Sequence, residues 1–266
     1  MPAQPSGRER GRYRASVADA SGLSWWEDFN TGLRLHREAG GQSVLPELSD
    51  KICELLGSVD VAFAVAGADT PSWSNPWPNG RIPDSASYEQ VTDPGKFLIV
   101  RARAQAWIEV LIARGWARQL GRVEWALAPF DAGGVSTMLK PDAAGAVPLV
   151  VTVHEPVDSA HVPTLTLAAG DPAVMLASIP DCGCDGCDRG SADLLEEVDR
   201  WVLSVIDGSL EVELGDEFLQ IRTSFGSQSN TVQHSVRPVA FSAAPWPTDW
   251  QARPLVPTPK SRRRWS

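Results

Sequence analysis

From Val123 onward, the apolar residues of this 266-residue chain stop recurring every three or four positions and begin to alternate. Val123, Trp125 and Leu127 open the pattern. Short strand-like runs follow at Val135–Leu139, Val147–His154, Leu165–Ala168 and Ala173–Ile179, separated by Pro, Gly and Asp. A period of two turns one side of each run toward a core. No helical pattern intervenes to carry the crossovers that parallel neighbours need, so the runs predict an antiparallel sheet.

The chain before Val123 reads differently. Trp25, Trp26, Phe29 and Leu33 share one helical face, and Gly40-Gly41 ends it. After Pro46, a helical period carries Leu48, Ile52, Leu55, Leu56, Val59, Phe63 and Ala66 up to Gly67. Asp93-Pro94 opens a third helix with Phe97, Val100, Ala104, Trp107, Ile108, Leu111 and Ile112 inward, ending at Gly115. A fourth begins at a capping Ser191, buries Leu194, Leu195, Val198, Val202, Val205 and Ile206, and stops at Gly208. Strand-like runs near Leu210–Leu214 and Glu217–Phe225 follow. Helices, then sheet, then helix and hairpin predict an α+β fold, an antiparallel sheet covered by helices. We expect one domain over 20–250, a disordered N-terminal tail over 1–19 and a flexible basic C-terminal tail over 251–266. Between the second and third helices, residues 70–94 are proline-rich. Trp73 and Trp77 there pin the loop to the core or offer a stacking platform; pinning is the simpler expectation.

Charge narrows the partners. Of the formal net charge of −9, residues 1–14 carry +3 and residues 260–266 carry +4, leaving −16 on the body between them. Such a body repels phosphate backbones, so nucleic-acid binding through it is not expected, and a basic protein is the favoured kind of partner. No apolar run approaches the roughly 20 residues a membrane helix needs. The arginines at 8, 10, 12 and 14 precede no apolar segment, so a secretory signal is not expected and the cytoplasm is the simplest location.

Three of the four cysteines fall within six positions, in Pro180-Asp181-Cys182-Gly183-Cys184-Asp185-Gly186-Cys187-Asp188. Four cysteines are too few for a disulfide scaffold. Cys53 stands alone on a helical pattern and reads as a small buried apolar residue. The Cys-x-Cys-x-x-Cys turn has the spacing of one zinc knuckle plus a third sulfur, and the glycines let the backbone close around an ion. Cys182, Cys184 and Cys187 are therefore candidate zinc ligands. His154, at the end of a predicted strand, is the first candidate for the fourth ligand, His161 the second, and Asp185 or Asp188 could serve instead. Three thiolates leave a divalent ion at about −1, a poor Lewis acid, which favours a structural over a catalytic metal. A redox-active Cys-x-x-Cys, an iron–sulfur site and plain reduced thiols stay open as alternatives. No zincin motif, nucleophile elbow, phosphate loop or dinucleotide fingerprint occurs.

The stretch from Pro180 through Asp199 to Val205-Ile-Asp-Gly208 closely resembles a bacterial family catalogued as domain of unknown function 6226. Thr70-Pro-Ser-Trp73 and Tyr88-Glu-Gln-Val-Thr-Asp-Pro94 resemble it as well. The resemblance covers roughly Val59 to Gly208, extending toward Trp246. It implies no activity. The expected function is that of a non-enzymatic binding or interaction protein, an immunity-type protein being one version; the alternative is a thiol- or metal-dependent enzyme using the same cluster.

Overall fold

The computed structural model of the chain describes residues 24–43, 45–130, 133–156, 161–232 and 236–257. The expected N-terminal tail and the end of the C-terminal one lie outside these residues. Four α-helices occur among the described residues: α1 (Trp25–Glu38), α2 (Asp50–Ala66), α3 (Leu98–Ala113) and α4 (Ser191–Ile206). The strands are β1 (Ala117–Leu120), β2 (Trp125–Leu127), β3 (Val135–Pro141), β4 (Leu149–His154), β5 (Thr164–Gly170), β6 (Ala173–Ile179), β7 (Leu210–Leu214), β8 (Phe218–Thr223), β9 (Ser227–Thr231) and β10 (Val239–Ser242). The α+β expectation holds, with one refinement. The strands form two sheets, ordered β1-β3-β4-β5-β6-β2 and β10-β7-β8-β9. All pairings are antiparallel except β2 with β6. The chain leaves β1 at one edge and enters β2 at the other, which puts β2 beside β6 in the parallel sense.

Alternation places Leu149 and Val151 of β4 with Leu165 and Leu167 of β5 on one face. That face packs against Leu55, Leu56 and Val59 of α2, Trp107 and Leu111 of α3, and Val198, Val202 and Ile206 of α4, in a cluster that also takes in Val212 and Ile221 of the second sheet. The opposite face of the first sheet is smaller and more polar. Met138, Val150, Ala168 and Ala173 meet Val123 and Trp125 there.

A buried charge ties the helices together. Asp199 of α4 is fully buried. It receives Arg103 from α3 through Nε and Nη2 at 2.7 and 2.6 Å. The indole N–H groups of Trp107 and Trp25 also donate to it, at 2.7 and 2.8 Å. Arg103 donates in addition to Asp60 of α2 at 2.7 Å. A buried ion pair persists only where its lone pairs and protons are satisfied, and four donors on one carboxylate meet that condition.

The folded body extends beyond position 250. Arg253 is buried, donates to Asp207 at 3.2 Å and to Ser224 at 2.9 Å, and lies over the Phe225 ring. The boundary expected from composition is corrected here: a lone Arg among prolines gives no periodic signal, yet its partner Asp207 is fully buried.

The third helix starts later than Asp93-Pro94 suggests. Pro94–Phe97 is a 3-10 turn, and α3 begins at Leu98. Ser191 is the first residue of α4 and not its cap. The preceding Gly190 adopts φ +89°, and a Cβ there would lie 2.7 Å from the backbone nitrogen of Asn75. That close approach requires glycine.

Candidate metal centre

The cysteine turn runs from the end of β6 to the start of α4. Its Asp185–Cys187 segment is a single 3-10 turn, preceded by Cys184 in extended conformation at φ −72°, ψ 153°. Glycines make the turn tight. A Cβ on Gly183 would enter the Val162 side chain at 2.5 Å, and one on Gly186 would enter the Tyr88 ring at 2.8 Å. The three sulfurs converge: one ligand atom from each of Cys182, Cys184 and Cys187 lies within 4.8 Å of the other two. The Cys182 and Cys184 sulfurs are 3.2 Å apart, and none of the thiols is in a disulfide. Cys184 is buried, while Cys182 and Cys187 are exposed.

Burial raises the Cys184 thiol pKa, and it is outweighed by hydrogen bonds from the Cys182 and Cys187 thiols and the backbone N–H groups of Cys187 and Gly186, so the net shift is downward. Burial, followed by the hydrogen bonds and charge of the neighbouring cysteines, pushes the Cys187 thiol up to about 12. Three sulfurs this close repel each other as thiolates, and a cation among them removes that repulsion. The donor set and its backbone N–H bonds to sulfur fit a soft or borderline divalent ion.

The proline-rich loop wraps this turn and holds it by hydrogen bonds. Trp73 donates its indole N–H to both oxygens of Asp188 at 2.9 and 3.0 Å, and Trp77 donates to the Asp185 carbonyl at 2.9 Å. Lys96 joins Asp188 at 2.6 Å and sits over the Trp73 and Phe97 rings. The Gly190 N–H caps the same carboxylate at 2.8 Å. Thr92 donates its hydroxyl and its N–H to the Asp185 carboxylate, which holds that group below the usual carboxylate range. The Asp185 N–H bonds Gln90, and the Ser191 N–H bonds the Trp73 carbonyl. Trp73 and Trp77 are thus pins, although what they pin is the cysteine turn as well as the core. Pairing of these two segments, more than 90 positions apart, has no local sequence signal.

The expected fourth ligand is not brought to the sulfurs. His154 is buried in the first sheet, its Nε2 3.0 Å from the Thr166 hydroxyl. The strand that carries it aims the ring across the sheet and against Gly134, away from the turn. His161 precedes Val162, the residue that packs on Gly183, yet its ring is not in the sulfur group either. Asp185 and Asp188 are engaged as described. Among the described residues the three cysteines alone make up the group. Cys53 is half-buried on α2, its thiol pKa raised by burial and then by Asp50, and lies far in the chain from the cluster.

No described helix is long and apolar enough to cross a membrane. No curated protein and no solved structure matches the chain. The profile of a family of unknown function (DUF6226) matches residues 59–255, which takes in the pinning loop, both sheets, the cysteine turn and the buried Arg253. That match spans well over half of the sequence, and the chain therefore belongs to this family of unknown function, DUF6226.

Proposed function

We propose that the chain is a non-enzymatic binding or interaction protein of the cytoplasm, with a structural zinc ion held by Cys182, Cys184 and Cys187. The convergence of the three sulfurs within 4.8 Å carries the reading. Its support is the chemistry of the donor set: three thiolates would neutralise the ion and one more charge besides, so the ion would order the turn and not polarise a substrate. The turn in turn anchors the loop of residues 70–94 through Asp185, Asp188 and Ser191. The acidic body, at −16 between its basic ends, supports a basic protein as partner and argues against phosphate backbones.

Metal analysis of protein purified without chelator tests the reading. The expected result is about one zinc per chain with no titratable thiol in the cluster, and loss of the zinc in Cys184→Ser. Metal-free protein with three reactive thiols would replace it by the second reading, a thiol-dependent enzyme. The exposure of Cys182 and Cys187 beside a buried Cys184 with a lowered pKa favours that alternative.

A further inference from the structure

We infer that the fourth coordination position of the cysteine centre faces solvent and accepts a neutral nitrogen donor of the imidazole class from outside the described chain. The inference rests on the metal-binding reading above. Of the four donors within the chain that sequence analysis nominates, Asp185, Asp188 and His154 are committed elsewhere, and His161 is not in the sulfur group. Turning Asp188 toward the sulfurs would strip acceptors from Trp73, Lys96 and the Gly190 N–H together. Turning Asp185 would release Thr92 and with it one anchor of the proline-rich loop. His154 would have to leave Thr166 and a buried site in the sheet. No carboxylate or imidazole among the described residues joins the three sulfurs.

The direction of the open position follows from burial. Cys184 is the inner corner of the sulfur triangle, while Cys182 and Cys187 are exposed. The turn therefore covers the centre from one side, and the remaining side is reached from water. Charge selects the donor. Three thiolates on a divalent ion leave about −1. Asp181, Asp185 and Asp188 stand in the same turn, with Lys96 offsetting one of the three. A carboxylate or a further thiolate adds charge to an already negative place. Water or imidazole adds none, and imidazole is the stronger ligand for zinc and its cobalt surrogate.

The full-length chain loaded with Co(II) in place of zinc provides the test, with free imidazole as probe and acetate as the anionic comparison. The expected result is a sulfur-to-cobalt charge-transfer band, ligand-field bands that shift saturably with imidazole, and no comparable shift with acetate at equal concentration. A charge-transfer band with ligand-field bands that imidazole leaves unmoved overturns the open position while leaving the metal centre standing. Ligand-field bands altered by His161→Ala before any imidazole is added place the fourth donor inside the chain and overturn it as well. Absence of the charge-transfer band removes the metal reading itself, and this inference with it.

Discussion

Truncating Asp199 removes the acceptor on which two helices and two tryptophans converge. Arg103, 2% exposed, keeps only Asp60, whose side chain is 49% exposed. Leaving one member of a buried pair uncompensated costs about 3–5 kcal/mol. The fully buried Trp107 N–H loses its acceptor at the same time, a further cost of roughly 1–3 kcal/mol that overlaps with the first. We expect Asp199→Ala to destabilise by about 4–6 kcal/mol, as the two costs share a site and do not add fully. At roughly 2–4 °C per kcal/mol for a chain of this size, Tm falls by about 10–20 °C. Asp199→Ala, Arg103→Met and the double variant together form a cycle, read by urea denaturation. Each single change strands a charge, whereas the double change strands none, so the double variant should be less destabilised than the sum by at least about 2 kcal/mol. The reasoning fails if Asp199→Ala costs less than about 1 kcal/mol, or if the two single changes simply add.

Three further outcomes follow from the geometry. Gly190→Ala places a Cβ against the Asn75 backbone at φ +89°, so a loss of more than about 1 kcal/mol is expected together with faster proteolysis within residues 70–94; unchanged proteolysis would show that the contact does not hold the loop. Ending the chain at residue 250 strands the fully buried Asp207, and about 3–5 kcal/mol of stability should be lost, whereas ending it at residue 257 should leave the denaturation midpoint in place. The Ser24 hydroxyl and N–H hold the Glu27 carboxyl of α1 below its ordinary value; the contribution is fully present above the unfolded value near 4.5 and is lost as pH falls through the lowered folded value. NMR titration should place the Glu27 midpoint below that of an unstructured Glu, and Ser24→Ala, which keeps the backbone N–H, should return it in part.

The helices and the strand runs were legible because periodicity is a local property. Leu55, Leu56 and Val59, or Leu165 and Leu167, announce their faces within a few residues. Two features of the sheets were not. Splitting into two sheets depends on which strands meet, and the parallel pairing of β2 with β6 depends on a path across the sheet; a period of two encodes neither. Polar runs such as Ser227–Thr231 form a strand through their neighbour β8 and show no apolar alternation. In the candidate site the three sulfurs were legible from spacing alone. His154 does not join the sulfurs, because strand alternation decides its direction: the register pairs it with Thr164 and leaves its ring on the Thr166 hydroxyl, on the face opposite the helices. From the sequence Asp188 reads as a substitute ligand, and only the folded chain reveals it as the residue gripping Trp73 and Lys96.

The cysteine turn and its cover belong to two different regimes of chain entropy. Trp73 and Asp188 are 115 positions apart, and closing so long a loop costs about 4 kcal/mol in an otherwise unstructured chain. The three sulfurs are separated by at most five positions and face a cost of only about 1.4 kcal/mol on the same relation. An ion could therefore be gathered by this turn before the sheet exists, and it would be bound, if less tightly, by unfolded chains as well. Mass action then credits the folded state only with the difference between the two affinities. The ion's leverage on stability would come from how well a pre-closed turn presents Asp185, Asp188 and Ser191 to the loop that arrives from the other end of the domain, and much less from the strength of its bonds to sulfur.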